Sequence, residues 1–128
     1  MNDERLYCIR GATCAENTEE SISRNVGELC RSLFERNSLR SENLVSIQFS
    51  VTPDLDALNP ATALRNCDTG LDTSRTALFC SAEPCVKNML PRAVRVMISA
   101  YMPCGFSPEA VYINGAQVLR PDLSGNPS

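Results

Sequence analysis

The chain is expected to fold as an α+β domain, a mixed five-stranded sheet packed by one long helix. Three observations predict this. Ile22, Val26, Leu29, Cys30, Leu33 and Phe34 recur at the spacing of a single helical face. Val45, Ile47, Phe49 and Val51 alternate with Ser46, Gln48 and Ser50, and Val94, Val96, Ile98 and Ala100 alternate with Arg95, Met97, Ser99 and Tyr101. The elements come in the order strand, helix, strand, short helix, strands, which segregates helices to one side of a mixed sheet.

Each element has a local cause. Leu6–Arg10 reads as a short strand that ends at Gly11. Asn17 can cap the long helix, with Glu20 completing a box-like start, so the helix spans about 17–37. Thr52-Pro53-Asp54 stops the second strand. Pro60 suits the first turn of a short helix running toward Asn66, with Asp54 and Asp56 as turn and cap residues ahead of it. Thr76–Cys80 is a short apolar strand. The segment 93–101 can be read as a helix, but its β-branched run and the preceding Pro91 favour a strand. Val111–Ile113 and Gln117–Leu119 flank an Asn114-Gly115 turn signal. Residues 1–120 are expected to form one domain, and the Pro/Gly/Ser-rich 121–128 a mobile tail.

Composition narrows the chemistry. Of the 128 residues, 12 are basic and 15 acidic, so a basic nucleic-acid footprint is absent. There is no histidine, which removes histidine-dependent nucleophilic catalysis and the commonest metal ligand. The seven cysteines form no CxxC pair, so neither zinc-ribbon spacing nor any metal site is read. They fit reduced thiols in a cytosol-like compartment, with Cys8 and Cys30 as small hydrophobes. The polar start, Met1–Arg5, has no apolar signal core, and no run reaches membrane-spanning length. One long helix covers only part of a five-stranded sheet, so a homo-oligomer is expected to cover the rest.

Arginine supplies eleven of the twelve basic residues. Arg10, Arg95 and Arg120 each sit inside or at the end of an apolar run, where a cation needs an anion or an acid partner. Glu83 and Asp122 are candidate partners. Alternatively, the three arginines build a pocket for a small dianion.

Ile9-Arg10-Gly11-Ala12-Thr13, Thr52-Pro53-Asp54-Leu55-Asp56-Ala57, Pro60-Ala61, Cys80 with Glu83, Arg92-Ala93-Val94-Arg95-Val96-Met97 and Leu119-Arg120-Pro121-Asp122-Leu123-Ser124 follow in this order. Together these blocks resemble the monofunctional trimeric α/β chorismate mutases over roughly residues 5–124, and not the all-helical class. The resemblance implies a homotrimeric pseudo-α/β-barrel with three active sites in the clefts between subunits. It implies an isomerase of phenylalanine and tyrosine biosynthesis that turns chorismate into prephenate by a Claisen rearrangement, in the cytoplasm and without cofactor. By the same resemblance Arg95, Glu83 and Cys80 are the catalytic candidates, Arg10 and Tyr112 bind substrate, and Ala61, Arg65, Leu119 and Arg120 lie in or near the pocket from the neighbouring subunit.

Two positions depart from the family pattern. Asn59 stands where an aromatic residue is usual, and Thr62 where a basic one is common. Two rivals follow: an imine-hydrolysing enzyme on the same trimeric architecture, and a non-catalytic module that binds chorismate or a similar dicarboxylate. The Cys80–Glu83–Arg95 spacing with Leu119-Arg120-Pro121-Asp122 fits the mutases better.

Overall fold

A computed structural model describes residues 3–123. From Ser124 onward the expected tail lies outside the described residues. Strands β1 (Glu4–Cys14), β2 (Leu44–Val51), β3 (Ala77–Ala82), β4 (Ala93–Pro103) and β5 (Val111–Tyr112) form one sheet in the order β3-β2-β4-β1-β5. β4 is antiparallel to both β1 and β2, whereas β3 and β5 add in parallel, which makes the sheet mixed. Helix α1 (Glu19–Arg36) and the short helix α2 (Pro60–Arg65) pack on one face.

The α1 stripe is buried as its spacing requires: Ile22, Val26, Leu29, Cys30, Leu33 and Phe34 face Ile9, Ile47, Phe49, Val94, Val96 and Ile98 of the sheet. Each such leucine or isoleucine stabilises the fold by about 1.5–3 kcal/mol relative to exposure. Burial pushes the Cys30 thiol up to about 12, so this cysteine is a neutral core residue.

Several local expectations are corrected. Thr18, not Asn17, caps α1, its hydroxyl accepting from the Ser21 N–H. Asn17 instead fastens the 56–57 loop, donating to Asp56 Oδ1 (2.8 Å) and accepting from the Asp56 and Ala57 N–H groups. Asn59, not Asp54 or Asp56, caps α2, accepting from the Ala61 N–H at 2.8 Å. β1 does not end at Gly11 but continues to Cys14, because β4 pairs with it over its whole length. Val45 leaves the β2 alternation and is 42% exposed, since the register slips between Leu44 and Ser46. Cys8 is exposed, on the sheet face that α1 does not cover.

Around Asn114-Gly115 no hairpin forms. Both residues are left-handed, β5 pairs with β1, and Ala116–Leu119 is a 3-10 turn. Asn114 donates to Thr13 Oγ1 and Glu28 Oε1, which ties the turn to β1 and α1. The chain then crosses the end of the open sheet face, where Ala12, Tyr112 and Ala116 make a second small core with Leu119 and Leu123.

Candidate active site

Strand alternation sends β1 and β4 residues to two faces. Ile9, Gly11, Val96 and Ile98 face the helices, so Arg10, Ala12, Arg95 and Met97 face away. Arg10 stands opposite Met97, and Arg95 opposite Ala12. The two arginines are therefore diagonal neighbours on one face, about 7–8 Å apart at the backbone. Tyr112 follows on β5, opposite Ala12. A cleft of about 270 Å³ opens here, lined by Arg10, Gln48, Ser50, Ser81, Arg95 and Tyr112.

Glu83 lies just past β3, where its N–H donates to Val51 O at 2.8 Å and prolongs the ladder. Its carboxylate is largely covered and accepts from Arg95 Nε at 3.1 Å. That contact fixes the guanidinium by its inner nitrogen. The two Nη atoms carry no hydrogen bond among the described residues, and neither does the side chain of Arg10. Both arginines are exposed rather than enclosed in the chain's own core. Two fork-like cations with open donors on one sheet face can take carboxylates.

Arg120 and Asp122 form an ion pair at 2.6 Å. The hydrogen bond from Arg120 holds the Asp122 carboxyl below the usual range, and Asp122 in turn raises Arg120. Arg10 adds a smaller part to the lowering of Asp122. Leu119 packs on the Tyr112 cluster.

The remaining candidates sit elsewhere in the single chain. Cys80 pairs with Phe49 and packs against the helix-side core, opposite in direction to Phe79 and Ser81. Burial raises its thiol pKa. Ala61 is buried in α2, and Arg65 lines a separate cleft of about 310 Å³ with Thr73, Ser74, Thr76 and Leu78. The nine candidates thus split into two groups on either side of edge strand β3. One chain joins Arg10, Glu83, Arg95 and Tyr112, with Leu119 packed on the Tyr112 cluster and Arg120 paired to Asp122. It does not join these to Ala61, Arg65 and Cys80.

Gln48 and Ser50 also line the cleft, with no chemical motif in the sequence to mark them. Their signal is the β2 alternation itself: Gln48 is opposite Met97 and Ser50 opposite Arg95, so both share the arginine face. No group of metal-binding side chains occurs among the described residues, and none of their helices is long and apolar enough to cross a membrane.

The chorismate mutase type I family model matches residues 6–123. Chorismate mutase AroH of Bacillus subtilis is 35% identical over 118 residues, covering 91% of this chain and 91% of the relative. Chorismate mutase AroH of Thermus thermophilus is 36% identical over 121 residues, covering 90% and 93%. The solved chorismate mutase of Clostridium thermocellum superposes with a TM-score of 0.73 at 36% identity, over 88% of this chain and 98% of that one. A match spanning nearly every described residue, with the strand arginines on one open sheet face, places this chain in the chorismate mutase type I family.

Proposed function

We propose that the open face of β1 and β4 is the half-site on which this chorismate mutase turns chorismate into prephenate. The observation that carries it is the pair Arg10 and Arg95, diagonal on one face with free guanidinium donors, Arg95 being braced by Glu83. Chorismate bears two carboxylates and rearranges within one molecule. A carbon–oxygen bond breaks as a carbon–carbon bond forms, and no proton need move. The protein must hold the reactive conformer and stabilise charge growing on the ether oxygen.

Arg95 carries that second task. Its Nη atoms face the ether oxygen and one carboxylate, while Glu83 holds Nε. Arg10 and Tyr112 bind the enolpyruvyl carboxylate. Glu83, with its second oxygen, accepts the ring hydroxyl as positive character develops on the ring.

The other half of the site comes from a second copy in a homotrimer. Four large apolar side chains stand exposed on this face or its rim: Phe79 (64%), Tyr101 (47%), Leu6 (43%) and Met97 (39%). Such a surface on a chain of this size calls for a partner. A neighbour presenting its β3–α2 edge would bring Arg65, which lines the cleft along that edge, to the arginines. The free thiols suit a reducing compartment, the cytoplasm.

The test is loss of chorismate absorbance with purified protein. Turnover to prephenate supports the reading. Folded protein that binds chorismate without turnover would favour a binding module, the reading that Asn59 and Thr62 keep in play.

Those two departures have a kinetic consequence. Thr62 is half-buried on α2, where the basic residue common in the family would add a cation beside a substrate carboxylate. A contact alike in ground and transition states changes KM and not kcat. Thr62→Lys is expected to lower KM about tenfold with kcat within about threefold, the scale of one charge-assisted hydrogen bond. Steady-state kinetics check this, and an unchanged or higher KM would count against it.

A further inference from the structure

We propose that Asp54 is a positioning residue for Arg95, acting through the backbone of Arg92. The inference rests on the reading of Arg95 given above.

Arg92 precedes β4 with φ of 51°, a left-handed conformation that an L-residue with a long side chain seldom adopts. Such a conformation persists only where its surroundings hold it. Here every backbone polar group of residues 92 and 93 is held. The Arg92 N–H donates to both oxygens of Asp54, at 3.1 and 3.0 Å. Arg92 O accepts from the Ala15 N–H at 3.1 Å. The Ala93 N–H donates to Thr52 Oγ1 at 3.0 Å, and Ala93 O accepts from the Thr52 N–H at 3.1 Å.

Asp54 organises this set. Thr52 Oγ1 donates to Asp54 Oδ1 at 2.6 Å and lies 3.4 Å from Ala93 O. The hydroxyl has one proton, which it donates in the hydrogen bond to Asp54, leaving the oxygen's lone pairs to accept from Ala93. Thr52 itself is buried, 2% exposed, so its hydroxyl has few alternatives. Without the carboxylate the hydroxyl proton turns toward Ala93 O, which weakens the hold of the same oxygen on the adjacent Ala93 N–H, and nothing holds the Arg92 N–H. Arg95 is the second residue after Ala93, on the strand that starts from this knot, opposite Ser50 and Ala12. A slip in how β4 leaves residue 92 moves the guanidinium relative to Arg10 and Glu83.

The experiment is a double-mutant cycle with Arg92→Gly, since glycine adopts the left-handed conformation without needing to be held. Asp54→Ala is expected to lower kcat about ten- to a hundredfold, as a displacement near 1 Å can, with KM within about threefold. Arg92→Gly alone stays near wild type. In the Arg92→Gly background the kcat loss from Asp54→Ala shrinks to about threefold or less. Asp54→Asn, which keeps one acceptor oxygen, falls between, and carries the same comparison if Asp54→Ala does not fold. Folded Asp54 variants with wild-type kcat, or a kcat loss that Arg92→Gly leaves intact, would overturn the proposal. Arg95→Ala assayed in parallel separates the two failures: full activity there removes the Arg95 reading itself.

Discussion

Arg95→Ala is expected to lower kcat/KM by about three to five orders of magnitude, with most of the loss in kcat. Removing one neutral donor from an oxyanion site costs about 10²–10³ in rate, and this change removes a full charge and two open donors. It also leaves the largely covered Glu83 carboxylate without its partner, so a negative charge faces the substrate's two carboxylates. Arg95→Lys should recover little, because an ammonium cannot meet Glu83 with one nitrogen and present two more to substrate. Chorismate disappearance under saturating and limiting substrate separates kcat from KM. A loss of tenfold or less in either variant would mean that the cation on β4 does not carry the chemistry.

Gly11→Ala is the second large effect, and it acts through the fold. A Cβ at this position would stand 2.8 Å from Val111 O, 3.0 Å from Leu33 Cδ1 and 3.2 Å from Leu29 Cδ1. The leucines can yield a little, but a backbone oxygen of β5 cannot without moving the strand. β5 is only two residues long and carries Tyr112. Overpacking of this kind costs about 1–3 kcal/mol or more, and here the strain falls on the pairing of Gly11 with Val111. For a domain of this size the melting midpoint should fall by about 5–15 °C. Because Arg10 precedes Gly11 and Tyr112 follows Val111, KM for chorismate should rise as well. Thermal unfolding and steady-state kinetics measure both. An unchanged midpoint would show that β5 shifts freely and that Gly11 is not a packing constraint.

Period and spacing made much of this molecule legible in the sequence. The α1 stripe and the β4 alternation specify both elements and the faces they bury, because burial of one face leaves little freedom in register. The placement of Arg95 and Met97 away from the core follows from the same alternation. What period does not encode is pairing. That β1 runs on past Gly11, that β5 joins β1 in parallel, and that Val45 bulges out depend on which strands meet. Caps are equally hard to place: Thr18 and Asn59 cap the helices although Asn17 and the aspartates beside them have the right chemistry, and only the chain path chooses. Asn59 thereby gains a structural task at the position where the family favours an aromatic.

The site was legible in its residue types and only partly in its placement. Arg10, Glu83, Arg95 and Tyr112 converge within one chain. Cys80 does not, because adjacent strand residues point to opposite faces and Cys80 is out of phase with Glu83. The β2 alternation gives the face of Gln48 but not its neighbours, and the Thr52–Asp54–Arg92 knot has no one-dimensional signature, since its partners meet only in the fold.

The division of the candidates across edge strand β3 makes a shared site the central claim, and subunit complementation tests it most directly. Arg95→Ala and Arg65→Ala would be purified separately, where each is expected to be nearly inactive, and then co-refolded in equal amounts. If one chain supplies Arg95 and its neighbour Arg65, random assembly restores about a quarter of the sites, since each half is intact in half the chains. The mixture should then recover about a quarter of wild-type activity in a particle of three times 14.0 kDa. Mixed oligomers of that mass with no activity beyond the two separate variants would show that each chain carries both residues of its own site.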